Sequence, residues 1–177
     1  FSVSATFKYL FSDMGRIGNS RGASSVAFDL GVLYKCEIND WEGAGWSVGL
    51  HVSNLGPKIN YLTSKDALPA TVKVGGAADL PFLQMHKLTL TADLGYRLSP
   101  ADVQALSVSA GAEYAWRELV MLRGGYHCGD KKKGDASYAT AGAGVEYAGV
   151  RLDFAWLFAG HEYLARNTFW VSLGYSF

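Results

Sequence analysis

The last nine residues of the chain, Phe169-Trp-Val-Ser-Leu-Gly-Tyr-Ser-Phe177, decide the fold class. Side chains in a β-strand point alternately to its two faces, so apolar residues at every second position predict a strand with one apolar face. Alternation that runs to a terminal aromatic residue is typical of the closing strand of a bacterial outer-membrane barrel. The alternative is a core strand of a soluble β-sandwich. We interpret the apolar set as an assembly signal for the outer membrane, and its members are Phe169, Val171, Leu173, Tyr175 and Phe177.

The composition extends this pattern to the whole chain. Of the 177 residues 49% are hydrophobic, yet no run approaches the roughly 18 consecutive apolar residues of a membrane helix. The 21 glycines and the aromatic content of 14% favour a β-rich protein. Sixteen basic residues balance sixteen acidic ones, which leaves no net field to attract nucleic acid. We therefore predict a single all-β domain over residues 1–177.

Turn signals divide this domain into ten strands, an even number that suits a transmembrane antiparallel β-barrel. The predicted strands are 1–10, 24–38, 46–53, 71–80, 88–98, 106–116, 120–127, 138–147, 150–159 and 167–177, with a long loop at 54–70. The first residues already alternate, and no signal peptide precedes them. We therefore expect the chain to be the carboxyl-terminal part of a longer protein.

Two tight hairpins indicate which face of the sheet is polar. Turns at 117–119 and 148–149 would place opposite charges directly across from each other and aromatic residues across from aliphatic ones. The predicted pairs are Glu113 with Arg123, Glu146 with Arg151, Trp116 with Val120, and Tyr147 with Val150. A lone charge facing lipid near the midplane costs about 2–4 kcal/mol, so we expect the charged face to line the lumen. The predicted lumen-facing polar residues are Asp29, His51, Asp93, Arg97, Glu113, Arg123, Glu146, Arg151 and Asp153.

Small residues occupy the same predicted inner face, at Gly31, Gly49, Gly75, Ala77, Gly95 and Gly111. One interpretation is that they leave room for a ligand, a plug or an inserted segment. The other is that they only relieve crowding in a coiled sheet. The sequence favours neither.

Several segments, in order along nearly the whole chain, match the motifs of one known family. They include Val52-Ser-Asn-Leu-Gly-Pro-Lys-Ile-Asn-Tyr61 and Leu68-Pro-Ala-Thr-Val-Lys-Val-Gly-Gly76, which resemble the SNLGxKIxY and LPxxxRxG segments of the PorV/PorQ family. Asn167-Thr-Phe-Trp-Val-Ser-Leu173 resembles its NTLRFSL ending. The resemblance implies an outer-membrane barrel related to the FadL transporters, usually of fourteen strands, of which this chain would supply about two thirds. The connection around Ser99-Pro100 is shorter than is typical of PorV, a departure that bears on the cargo role more than on the fold.

Two functions follow from this resemblance. PorV proteins of the type IX secretion system receive secreted cargo proteins and pass them to an attachment complex, which implies cargo, secretion-system subunits and outer-membrane lipid as partners. The FadL-like alternative is a channel that takes up fatty acids or other hydrophobic small molecules. A structural or adhesive surface barrel is a third hypothesis, and a soluble β-sandwich enzyme is a distant fourth.

The sequence contains no pattern typical of an enzyme, a metal site or a cofactor site. The four histidines are far apart and lack metal-ligand spacing, and no helix follows the short glycine motifs. We therefore predict no enzymatic activity and no cofactor. Cys36 and Cys128 could form a disulfide or stay free, and both alternatives are open. The lysines at 131–133 suggest a solvated loop tip, with contact to lipopolysaccharide as a weaker alternative.

Overall fold

Ten strands form one antiparallel sheet in the computed structural model, which describes residues 1–12, 23–60, 65–160 and 168–176. The strands of this sheet, in spatial order, are β1 (Ser2–Ser12), β2 (Ala23–Glu37), β3 (Gly45–Leu55), β6 (Thr71–Phe82), β7 (His86–Arg97), β8 (Leu106–Trp116), β9 (Val120–Cys128), β10 (Tyr138–Tyr147), β11 (Val150–Ala159) and β12 (Phe169–Tyr175). A separate two-stranded ribbon pairs β4 (Ile59–Asn60) with β5 (Lys65–Asp66). Helix is confined, within these ranges, to short 3-10 turns at Ala101–Val103 and Lys131–Lys133.

The predicted all-β class and the ten strands are confirmed, and so are both hairpin registers. Glu113 lies opposite Arg123, and Glu146 lies opposite Arg151. The long loop predicted at 54–70 corresponds to the connection 56–70, and it contains the short β4–β5 ribbon. The connection predicted at 81–87 is also shorter than expected, since only residues 83–85 separate β6 from β7.

These tight turns depend on left-handed backbone conformations. Leu83 and Gln84 have φ values of 50° and 54°, and Arg117 and Glu118 repeat this geometry at 52° and 57° in the turn between β8 and β9. Positive φ at two successive positions matches the right-handed twist of the flanking strands, so very few residues suffice to reverse the chain.

β1 and β12 are the outermost strands, so the described strands form an open sheet. Each pairs with one neighbour, β1 with β2 and β12 with β11. Closure into a transmembrane barrel therefore stays a prediction. Within the described ranges, no helix is long and apolar enough to cross a membrane.

Short and long connections lie at opposite ends of the sheet. Segments of two to seven residues join β2 to β3, β6 to β7, β8 to β9, and β10 to β11 at one end. At the other end the connections are longer, and they span 13–22, 56–70, 98–105, 129–137 and 160–168. We call these the short-turn end and the long-loop end. Residues 13–22, 61–64 and 161–167 lie outside the described residues, as does Phe177 of the predicted assembly signal.

The two faces of the sheet differ in the exposure of their side chains. In a soluble protein the large apolar side chains are mostly buried, whereas here they are the exposed ones. Leu30, Leu122 and Leu152 are each about half exposed, at 51%, 54% and 51%. On the other face Asp29 is only 8% exposed and Ala27 is fully buried. The polar face is thus the more enclosed of the two, and we call it the inner face.

Aromatic residues on the apolar face fall into two bands separated by aliphatic side chains. The band near the short-turn end contains Tyr34, Trp46, Phe82, Tyr114, Trp116, Tyr147 and Tyr175. The band near the long-loop end contains Phe7, Tyr9, Phe11, Phe28, Tyr96, Tyr126, Phe154, Trp156, Phe158 and Phe169. Rings touch within each band, as at Tyr34 and Trp46 (5.6 Å between centroids) and at Phe7 and Phe28 (5.2 Å).

Both cysteines are free in the structure. Cys36 lies opposite Trp46 at the short-turn end, and Cys128 ends β9 at the long-loop end. Because six strands of the sheet, β2, β3 and β6 to β9, span the distance from one to the other, no disulfide joins them here.

Candidate functional site

The registers place all nine predicted lumen residues on the inner face, together with the predicted glycines. They do not form a single site. Glu113, Arg123, Glu146, Arg151 and Asp153 form one group toward the short-turn end, Asp29 is part of a second group, and His51 lies in a groove. Asp93 and Arg97 belong to a third group near the long loops. That this face lines a lumen stays a prediction.

The first group is a network of ion pairs that crosses four strands. Arg123 on β9 pairs with Glu113 on β8, and its Nη1 lies 2.5 Å from Oδ1 of Asp153 on β11. Arg151 donates from Nε to Oδ2 of Asp153 at 2.7 Å and lies 3.6 Å from Glu146. Each charge has an opposite partner, so the network keeps five ionised groups on the inner face without an isolated charge.

A glycine makes this network possible. Arg123 and Asp153 lie on strands that are not neighbours, because β10 runs between them. The residue of β10 opposite Asp153 is Gly144, and a Cβ there would stand 2.5 Å from Asp153 Oδ1 and 3.3 Å from Arg123 Nη1. The missing side chain therefore leaves the space through which the two charges meet.

The second group fixes the segment that follows β3. Lys8 Nζ lies 2.5 Å from Oδ2 of the buried Asp29 and 3.2 Å from Oδ1 of Asn54. The backbone N–H of Asn54 donates to Oδ1 of Asp29 at 2.8 Å. The pairing of β2 with β3 shifts register between Phe28 and Leu30, where Ser53 and Asn54 of β3 oppose the single residue Asp29, which marks a bulge in β3. This bulge and the left-handed Asn54 (φ 56°) turn the chain out of the ladder.

Asn54 also joins the two family-like segments to each other. Its Nδ2 donates to the carbonyl oxygen of Pro69 at 3.2 Å. Nearby, the hydroxyl of Ser25 on β2 donates to the carbonyl oxygen of Pro57 at 3.1 Å. Leu68 is buried, so the described parts of the 56–70 connection lie against the inner face of β2 instead of extending away from the sheet.

A groove of about 500 Å³ opens on the inner face across β1, β2, β3 and β6. Gly31, Gly49 and Gly75 line it. A Cβ would stand 2.6 Å from Ser4 Oγ at Gly31 and 3.0 Å from Asp93 Cβ at Gly75, so these two glycines also relieve crowding between neighbouring strands. His51 and Lys73, which lie opposite each other, supply nitrogen donors at its side. The groove can accommodate an extended segment or a small ligand.

The third group surrounds the 129–137 connection. His127 on β9 contacts Ser109 on β8 and Asp135 in the connection, each at 3.0 Å. Arg97 donates to the carbonyl oxygen of Lys133 at 3.2 Å, and Lys133 Nζ donates to that of Gln104. The prediction of a solvated lysine tip was therefore wrong for Lys133, which is half-buried, whereas Lys131 and Lys132 are exposed.

No group of three or more His, Cys, Asp or Glu side chains could hold a metal ion in the part of the chain that the structure describes.

Comparison with known proteins identifies the family. The family model described as "Type IX secretion system protein PorV" matches residues 1–104, which is more than half of the chain. The chain belongs to the PorV family. The match confirms the family predicted from the SNLG-like and LP-like segments and supports a role in type IX secretion. No curated protein matches the chain.

The PorV match covers β1 to β7, so it contains the Asp29 group and the groove. The ion-pair network and His127 lie beyond it. Sequence reasoning on this PorV-family chain missed Lys8, Asn54, Ser109 and Asp135 as members of these groups. Lys8 and Ser109 stand at inner-face positions of the alternation, so that signal was present. Asn54 and Asp135 lie in or beside loops, where alternation does not predict a direction.

Proposed function

We propose that this PorV-family chain forms part of the wall of a β-barrel in the bacterial outer membrane and handles secreted proteins of the type IX secretion system there. The observation that carries the proposal is the exposed apolar face of the sheet. About half of the surface of Leu30, Leu122 and Leu152 faces outward, while buried Asp29 and the ion pairs occupy the other face. Lipid would cover the apolar face, and that arrangement is the ordinary one for an outer-membrane barrel.

The spacing of the aromatic bands supports the same proposal. On β7, His86 adjoins the short-turn band and Tyr96 belongs to the long-loop band. Ten residue steps at about 3.3 Å each cover about 33 Å along the strand. A tilt of about 40° reduces this to about 25 Å across the membrane, which is the height of the apolar band in such barrels.

The asymmetry of the connections gives an orientation. Outer-membrane barrels have short turns on the periplasmic side and longer loops outside the cell. We therefore assign the short-turn end to the periplasm and the long-loop end to the cell surface. Secreted cargo would meet the connections 56–70, 98–105 and 129–137, and the groove on the inner face would be open to an extended cargo segment.

Quenching by lipid-borne quenchers tests the membrane part of the proposal. Cys36→Ser and Cys128→Ser remove the native thiols, and a fluorophore is then attached at Leu90→Cys or at the adjacent Thr91→Cys. We expect brominated lipids to quench the Leu90 label strongly and the Thr91 label weakly, because consecutive strand residues face opposite sides. Equal quenching at both positions would refute the lipid-facing assignment.

Mass spectrometry of the protein extracted gently from native outer membranes tests the secretion part. We expect secreted proteins that share a carboxyl-terminal signal domain to co-purify with it. A charge reversal in the groove, Lys73→Glu, should reduce their recovery, whereas Lys87→Glu, away from the groove, should not. Co-purifying fatty acids without protein partners would refute cargo handling and leave the lipid-facing assignment intact.

A further inference from the structure

The connection 129–137 is a compact strap that lies on the inner face at the long-loop end. Asp130 accepts a hydrogen bond from the backbone N–H of Lys132 at 3.0 Å, and Gly134 ends this turn with φ 76°. The Ser137 hydroxyl accepts from the backbone N–H of Gly129 at 3.2 Å. These bonds give the strap a defined shape, so it can be held or released as one unit.

His127 on β9 contacts the strap at Asp135, whereas Arg97 on β7 contacts it at Lys133. Nε2 of His127 lies 3.0 Å from Oδ1 of Asp135, its Nδ1 lies 3.0 Å from the Ser109 hydroxyl, and its ring stacks on Tyr138 at 4.8 Å between centroids. The imidazole is only 13% exposed. A carboxylate accepts only, so Nε2 carries a proton toward Asp135, and in the neutral ring Nδ1 accepts from Ser109.

Protonation of His127 would change the direction of the bond to Ser109. Both ring nitrogens would then donate, so the Ser109 oxygen would accept and its hydroxyl proton would be free to point elsewhere. Asp93 lies directly opposite Ser109 on β7. Its Oδ1 is buried and has no hydrogen-bond partner among the residues that the structure describes. The Asp93 carboxylate is therefore placed across the strand pair as the acceptor that the released Ser109 hydroxyl could turn to.

Charged and aromatic groups face His127 from the strap and from the neighbouring strands. Asp135 faces the ring from the strap, and Asp93 lies one strand beyond Ser109. The face of Tyr138 attracts a cation. Arg97 on β7 and Lys133 in the strap both donate to backbone carbonyl oxygens. The other two lysines of the strap, Lys131 and Lys132, are exposed.

We propose that His127 is a pH-sensitive latch that holds the 129–137 strap more firmly on the inner face when it is protonated. Histidine changes charge in the range between pH 5 and 8. Asp135 accepts as a carboxylate in both states, so protonation of His127 turns a hydrogen bond to an anion into an ion pair, which corresponds to roughly a fivefold change in how often the strap opens. Acidic conditions would close the strap over the long-loop end, and mildly alkaline conditions would release it.

Hydrogen exchange of the full chain in lipid vesicles measures this opening. The readout is the protection of backbone amides in 129–137 at pH 5.5 and pH 8.0, each corrected for the intrinsic exchange rate. We expect the wild-type strap to open about fivefold less often at pH 5.5. His127→Gln keeps a donor for Asp135 and an acceptor for Ser109 but cannot change charge, so its opening should differ less than twofold between the two conditions.

His51→Gln is the matched control, because His51 faces the same side of the sheet but lies in the groove, and it should keep the wild-type response. If His127→Gln does not fold, Asp135→Asn tests the same latch from the strap and should lose the response while His127 is intact. A fivefold response that persists in either variant would overturn the proposal. Loss of the response in His51→Gln would overturn it as well. The quenching result at Leu90 is independent of all these outcomes.

Discussion

Substitution of Gly144 by Ala should weaken the ion-pair network through space alone. The added methyl group would stand 2.5 Å from Asp153 Oδ1 and 3.3 Å from Arg123 Nη1, which forces these two atoms apart. Glu113 still pairs with Arg123, and Arg151 still pairs with Asp153, so a single charge-assisted bond is lost. The side chains of Arg123 and Asp153 are 28% and 23% exposed, so water screens part of its energy.

The expected magnitude follows from these contacts. Loss of a partly screened charge-assisted bond costs about 1.5 kcal/mol, and the stiffer unfolded chain of an alanine variant offsets about 0.5 kcal/mol of this. Gly144→Ala should therefore lower the free energy of unfolding by about 1 kcal/mol. The matched control is Gly124→Ala on the adjacent strand, where a Cβ meets nothing within 4 Å and stability should stay the same or rise slightly.

Urea unfolding from lipid vesicles, followed by tryptophan fluorescence, compares the two variants. The comparison is repeated in an Asp153→Asn background, where the ion pair with Arg123 is already absent. In that background Gly144→Ala should lower the free energy of unfolding by less than about 0.5 kcal/mol, because the ion pair between Arg123 and residue 153 is no longer there to be disrupted. An unchanged cost in the Asp153→Asn background would refute the reasoning and point to strain in β10 itself.

Three further predictions concern other parts of the chain. Asn54→Gly should be more stable than Asn54→Ala by about 1 kcal/mol in urea unfolding. Both variants lose the hydrogen bond to Pro69, but only alanine is strained by the left-handed backbone conformation at this position. Equal stabilities would contradict that conformation. In lipid, Leu90→Arg should lower the free energy of unfolding by about 2–4 kcal/mol and Thr91→Arg by much less, since the proposed lipid-facing side of the sheet carries Leu90 and not Thr91. A larger loss in Thr91→Arg would show that the opposite face is the lipid-facing one. Deletion of Phe177 should reduce the amount of folded protein in the outer membrane, measured by heat-modifiable migration in gels, and normal insertion would argue against the terminal assembly signal.

Much of the sheet was predictable because its two faces differ so strongly. Alternation of apolar and polar residues fixed the phase of each strand, and two-residue and three-residue turns fixed the pairing of Glu113 with Arg123 and of Glu146 with Arg151. A slip of one residue would have exchanged every side chain between the faces, so few alternative registers were available.

The contacts within the candidate site were less predictable, for two physical reasons. Arg123 reaches Asp153 across an intervening strand, and nothing in the pairing of adjacent strands shows that Gly144 leaves the necessary gap. The connections at 56–70 and 129–137 turn back onto the inner face through hydrogen bonds between distant residues, such as that from Asn54 to Pro69. Hydrophilic loop sequences alone do not distinguish such folding back from exposure to solvent.

The separation of the two free cysteines gives the protein its own reporter of orientation. Cys128 is exposed at the long-loop end, whereas Cys36 is partly covered at the opposite end. In the orientation proposed above, a thiol reagent that cannot cross the outer membrane would modify Cys128 in intact cells and leave Cys36 unmodified. Modification of Cys128 without modification of Cys36 would thus report which side of the membrane the long loops occupy, and no engineered residue is needed.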